Sequence, residues 1–213
     1  MPIDLREVLE PARTAVLVIE CQQGIVGETS SLRDLAQSVR EGSMLERLSG
    51  LLACARRAGA RVYHCTVESR ADGLGQLTHT PIGARALGPA GEAGMSAGSA
   101  GAAIVADLGP EPQDVVAPRD HGLTVFHETG LDVLLRVAGV RTVVVTGVSV
   151  NIAITGAVID AVNRGYTVVI PTDCVAGAPA SYARDALRYA LRNLAFLSTA
   201  EQICAHWGIP LAG

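Results

Sequence analysis

The chain has 213 residues, with 49% hydrophobic and 18% charged positions, and 17 basic against 21 acidic residues give a net charge of −4. Those proportions supply a core for one domain and exclude both a disordered polyelectrolyte and a basic nucleic-acid footprint. Every basic residue is Arg, so chemistry that needs a lysine Schiff base, a P-loop lysine or a lysine general acid is excluded as well.

The N-terminal MPIDLREVLEPARTAV is charged throughout and predicts no secretory leader. Thr14–Glu20, TAVLVIE, is an apolar run of strand length that ends in a carboxylate, the pattern of a buried parallel strand. Leucines at 45, 48, 51 and 52 predict a helix over Met44–Ala58, stopped by Gly59, and Ala60–Thr66 reads as a second strand. Ala71–Gly101 carries eight glycines and reads as a lid, a mobile loop or a surface excursion. Val115–Ala117 is a short third strand, Thr129–Val137 an amphipathic helix, and Arg141–Gly147 a fourth strand. Ile152–Arg164 is a helix, Tyr166–Ile170 a strand, Pro179–Asn193 a helix and Ala195–Thr199 a last strand. Thr142–Ala161 is nearly uncharged, but Asn151, three Thr, one Ser and two Gly break it into strand and helix rather than a membrane span.

This alternation predicts an α/β fold, a doubly wound, mostly parallel sheet inside a three-layer αβα sandwich. No repeat or linker divides the chain, so 1–213 reads as a single domain. Five scattered cysteines (Cys21, Cys54, Cys65, Cys174, Cys204) without a C-x-x-C pair predict reduced thiols and a cytoplasmic protein.

In an open parallel sheet ligands bind beyond the carboxyl ends of the strands. That rule selects Glu20 and Gln22, Glu68, Arg119–His121 and Gly147–Ala153. Glu20 stands out: a carboxylate closing an apolar strand is placed where burial raises its pKa for proton transfer. Its other readings are a helix N-cap or the partner of an arginine. Cys21, on the opposite face from Glu20, reads as core, and Cys174 as the better candidate for a displaced thiol.

TAVLVIECQQG resembles the opening of the isochorismatase-like cysteine hydrolases, whose first strand ends in an acid followed two residues on by Gln. VFHETGLDVLLRVAGVRTVVVTGVSVNIAITGAVIDAVNRGYTVVIPTDCVAG is similar to that family's longest stretch of motif, including the T-G-V turn before its nucleophile. The resemblance implies six strands, assembly as dimers or tetramers, and a mechanism in which an acid deprotonates a cysteine beside a lysine. Carried across, the acid falls on Glu20. The lysine, six residues before Phe126, falls on Asp120 between Arg119 and His121. The cysteine falls on Ala153, and no cysteine lies between Cys65 and Cys174, so acyl-enzyme chemistry at that turn is impossible. True isochorismatases work without that cysteine, by proton transfer from the strand-end acid. The resemblance also implies a non-proline cis peptide at Val148–Ser149, with the amide at Ala153 lining an oxyanion site.

Two readings of function follow. In the first, the chain hydrolyses a small anionic molecule without covalent catalysis. Glu20 is its acid or base, Arg119 its anion anchor and His121 a proton relay, while Gln22, Asp120, Ser149, Asn151 and Ala153 line the substrate site. In the second, the scaffold binds a small molecule and has lost its chemistry. A hydrolase using Cys174 is a more distant third. His121 reads equally as a surface loop histidine, and Asn151 as the N-cap of the next helix. His64, His79 and Glu68 form no metal triad, and the Asp-x-His spacing that nicotinamidase relatives use for zinc is missing. No metal, cofactor, nucleic acid or membrane is expected as a partner.

Overall fold

The computed structural model describes residues 5–28, 30–86 and 94–211. Its centre is β1 (Thr14–Ile19), flanked by β2 (Arg61–Cys65) and β4 (Thr142–Val148). Beyond β2 lies β3 (Val115–Val116); beyond β4 lie β5 (Thr167–Pro171) and then β7 (Phe196–Ser198) at the outer edge. A two-residue strand, β6 (Val175–Ala176), pairs with the end of β4. All these pairings are parallel, giving seven strands where the sequence predicts six. Two residues are too short a run to show as a strand in a sequence.

Side chains of β1 alternate between two cores, as a strand's period of two requires. Val16 and Val18 join the layer formed by α3 (Arg33–Glu41), α4 (Met44–Ala58) and α9 (Ala200–His206). Ala15, Leu17 and Ile19 join the layer of α6 (Leu131–Val137), α7 (Ala153–Asn163) and α8 (Ala180–Asp185). Short helices at α1 (Leu5–Val8), α2 (Gln23–Val26) and α5 (Pro81–Ala86) and 3-10 turns at Pro11–Arg13 and Ala106–Leu108 lie outside these layers. None of the described helices is long and apolar enough to cross a membrane.

Helix boundaries follow local chemistry. Gly59 ends α4 at a φ of 83°, and its amide donates to the carbonyls of Ala55 and Arg56. Thr199 and Gln202 form a capping box on α9, and Asp173 accepts the Ala200 amide at 2.9 Å. The predicted helix 179–193 is helical but not uniform: α8 passes into a π-turn at Ala186–Ala190 and a 3-10 turn at Leu191–Asn193. Buried Ala183, Leu187 and Leu191 recur every four residues, a period longer than 3.6, and the wider turn keeps them on one face.

Of the glycine-rich segment, residues 87–93 lie outside the described residues. The described parts fold back onto the sheet's carboxyl edge. The Ser69 amide donates to the Met95 carbonyl and the Gly24 amide to the Gly101 carbonyl, both at 2.8 Å. Gly75, in the left-handed region at a φ of 89°, lies so close that a Cβ would meet the Asp120 carbonyl at 2.5 Å.

A buried polar cluster ties β2, α4 and the approach to β3 together. The Asp114 side chain is 1% exposed; Arg56 donates to it through Nη2 and Nε, and His64 Nε2 lies 3.1 Å away. Burial alone would raise the Asp114 pKa, but donors from Arg56, the Glu111 amide and His64 hold it below the usual carboxylate range. The stabilisation is therefore present above the unfolded carboxyl's pKa and is lost as pH falls through the lower folded value. Replacing Asp114→Asn is expected to lower the unfolding free energy in urea by about 3 kcal/mol at neutral pH. The deficit should begin to shrink below about pH 4, where the carboxyl of the unfolded chain protonates while the folded one stays ionised, and should vanish once the folded carboxyl protonates too.

Candidate active site

Glu20 ends β1 in the left-handed region, at a φ of 54°. A non-glycine residue adopts that conformation only where its surroundings hold it. Here the Glu20 amide donates to the Cys65 carbonyl at 3.0 Å, and the Gln22 amide donates back to the Glu20 carbonyl at 2.9 Å. The chain thus turns sharply off the strand and sends the carboxylate across the mouth of the sheet.

It meets Arg119. That residue follows β3 and continues its parallel pairing, its amide donating to the Thr66 carbonyl at 3.0 Å. The guanidinium donates through Nη2 to Glu20 Oε1 and through Nη1 to the Gly122 carbonyl at 2.9 Å. Arg119 Nε is buried without a partner, and only Oε1 of the carboxylate is engaged by this pair. The two side chains keep 7% and 15% exposure, so the pair is largely desolvated. Burial raises the Glu20 pKa, opposed by the charge and hydrogen bond of Arg119. Cys65 lies beside the same pair: burial pushes its thiol up to about 12, with Arg119 lowering it and Glu20 raising it further.

The opposite wall comes from β4. Gly147 has a φ of 99°, and a Cβ there would meet the Ile19 carbonyl at 2.2 Å, so this close approach admits only glycine. The Val148–Ser149 peptide is cis, as the resemblance implies. The Ser149 carbonyl accepts the amides of Ile152 (3.1 Å) and Ile154 (3.0 Å), passing over the Ala153 amide between them. Ala153 opens α7 and is buried.

The other predicted residues serve different ends. Gln22 is fully buried and clamps backbone: Oε1 accepts the Val67 amide at 2.8 Å, and Nε2 donates to the carbonyls of Val67 and Ala102 at 2.9 and 2.8 Å. Asn151 does not cap α7, whose N-cap is Ile152. Its side-chain amide instead donates to the Ala178 carbonyl at 2.7 Å and accepts the Ala178 amide at 3.0 Å, beside the cis Ala178–Pro179 peptide. Asp120 turns away from Glu20 to Arg70 at 3.3 Å and to His121 Nδ1 at 2.7 Å. Those two partners hold its pKa below the usual range. His121 Nε2 is buried without a partner, and its ring sits edge-on to His127 at 6.1 Å. His127 and Cys65 are the neighbours that strand-end counting did not select. Among the described residues no three His, Cys, Asp or Glu side chains are grouped to hold a metal ion.

Residues 14–202 match the family model described as isochorismatase domain. A ureidoacrylate amidohydrolase from Methylorubrum extorquens is 30% identical over 189 residues, spanning 79% of this chain and 73% of that protein. A maleamate amidohydrolase from Pseudomonas putida is 28% identical over 167 residues, spanning 76% and 72%. A solved cysteine hydrolase from Pseudomonas syringae pv. phaseolicola shares the fold at a TM-score of 0.79, with 24% identity over 98% of this chain and 95% of that one.

All five cysteines are buried, and burial raises the pKa of Cys21, Cys65, Cys174 and Cys204. Thiolate reactivity needs both access and a low pKa. An aromatic disulfide reagent at neutral pH is expected to find no fast-reacting thiol in the native protein and all five cysteines after denaturation. One thiol titrating rapidly in the native state would contradict this arrangement.

Proposed function

The chain belongs to the isochorismatase-like family of hydrolases, and from that premise we propose that it hydrolyses a small anionic amide with water, not sulfur, as nucleophile. One observation carries the reading: the strand-end carboxylate is desolvated and paired through a single oxygen to Arg119, while the position of the family's cysteine holds Ala153. The named relatives act on ureidoacrylate and maleamate, small acids with an amide-type bond, which supports this substrate class.

In this mechanism Glu20, ionised, takes a proton from water as the oxygen adds to the substrate carbonyl. The new oxyanion faces the Ala153 amide, and the Arg119 guanidinium balances the negative charge that moves through the site. The tetrahedral intermediate collapses as the proton held by Glu20 passes to the leaving nitrogen. Arg119 stays charged throughout, since a guanidinium does not give up its proton at working pH. His121, oriented by Asp120 through Nδ1, relays protons through Nε2 in the manner of an Asp-supported histidine.

The closed ion pair also favours a second reading, a binder without turnover. It predicts that small anionic amides raise the melting temperature yet release no ammonia.

Ammonia release from ureidoacrylate and maleamate separates the two. Glu20→Gln is expected to lower kcat/KM by about 10²–10⁴, and prior thiol alkylation should leave the rate unchanged; wild-type turnover by Glu20→Gln would refute the acid–base role. Because Glu20 acts as a base, activity should fall as pH drops through its pKa, which lies above the ordinary value of 4.5. Arg119→Gln should move that midpoint higher, since Arg119 is the influence that lowers it.

A further inference from the structure

Away from Glu20, the run from Ala180 to Asn193 repeats two sets of residues every four positions. Buried Ala183, Leu187 and Leu191 are each followed by an arginine: Arg184, Arg188 and Arg192, all exposed. The π-turn at Ala186–Ala190 that keeps the apolar set in register keeps the arginines in register too. They line a groove of about 680 Å³ whose apolar floor includes Leu187, Phe196 and Leu197.

Among the described residues none of these three guanidiniums meets a carboxylate within ion-pair distance, a state they share with Arg33, Arg40, Arg47, Arg57, Arg61 and Arg141; Arg188 lies over the Tyr189 ring at 5.1 Å. Like charges one turn apart on a helix repel. What sets these three apart is their alignment over a single apolar groove, in a chain whose net charge is −4, and that concentration of positive charge points to an anion that offsets it. The groove runs along the edge strand, from Thr172 just past the carboxyl end of β5 to Ala195 and Phe196 at the amino end of β7. It is separate from Glu20: β4 and β5 lie between β1 and β7, a distance of about 14 Å across the sheet.

We propose that this groove binds a small molecule carrying at least two oxyanion charges on an apolar or planar body. Arginines four residues apart are spaced about 6 Å along the axis, too far for one phosphate or carboxylate to engage all three. The fork geometry of each guanidinium suits phosphate or carboxylate oxygens, and the apolar floor receives the body of the ligand.

The test is a fluorescence titration of the full chain at low salt with two charged probes, a methylanthraniloyl adenosine diphosphate and a naphthalene dicarboxylate. The labelled nucleoside without phosphates is the neutral control. At least one charged probe is expected to bind one per chain, about tenfold or more tighter than the control, and weaken as salt rises. The better probe tells whether phosphate or carboxylate is preferred. The triple variant Arg184→Gln, Arg188→Gln, Arg192→Gln should lose about tenfold or more of that affinity with an unchanged melting temperature, while Glu20→Gln keeps it. Arg188→Gln alone serves if the triple variant is unstable. Equal binding of the neutral control, full affinity in the arginine variants, or loss of binding in Glu20→Gln would overturn the proposal.

Discussion

Two opposite charges withdrawn from water at the end of β1 set the terms for everything around them. Burying a carboxylate or a guanidinium alone costs several kcal/mol, so Glu20 and Arg119 are tolerable there only together. Their meeting depends on backbone that neither residue supplies: the left-handed turn at Glu20, the parallel pairing that carries Arg119 beside β2, and the glycine that lets β1 and β4 close up. The pair is thus a consequence of the sheet, and the sheet's carboxyl edge is in turn closed by the pair.

The chemistry left available follows from what the pair lacks. Lysine can give up a proton when its surroundings lower its pKa; arginine does not. In the proposed mechanism, with a permanent cation beside the acid and a methyl group at Ala153, proton movement falls to Glu20 and to His121 on the next turn. The structure supplies His121 with its own orienting carboxylate, Asp120, which is itself held by Arg70. Of the Glu20 carboxylate, only Oε1 is engaged by Arg119.

Much of this was legible in the chain. Long apolar runs such as TAVLVIE and RTVVVTG announce central strands because both of their faces are buried, and Glu20 is conspicuous for the same reason. Two elements were not: α3 is mostly polar and buries only Leu35, Ala36 and Val39, and β6 is two residues long. Counting six residues back from Phe126 points to Asp120, whereas the side chain that reaches Glu20 is Arg119. The difference is decided by the bridge between Val67 and Arg119, a pairing across the sheet that linear spacing does not contain. Gln22 and Asn151 were visible as polar residues at strand ends, but their partners at Val67, Ala102 and Ala178 lie far away in sequence, so their role as clamps could not be read.

The Gln22 clamp has an implication for how the molecule assembles. One amide side chain joins segments 45 and 80 positions distant along the chain. Links of that span wait on loop closure, whose entropy must be met before any bond forms. The mouth of the sheet therefore matures after its central strands have zipped, and under mild denaturant it should loosen first, with the hydrophobic layers beneath it still intact.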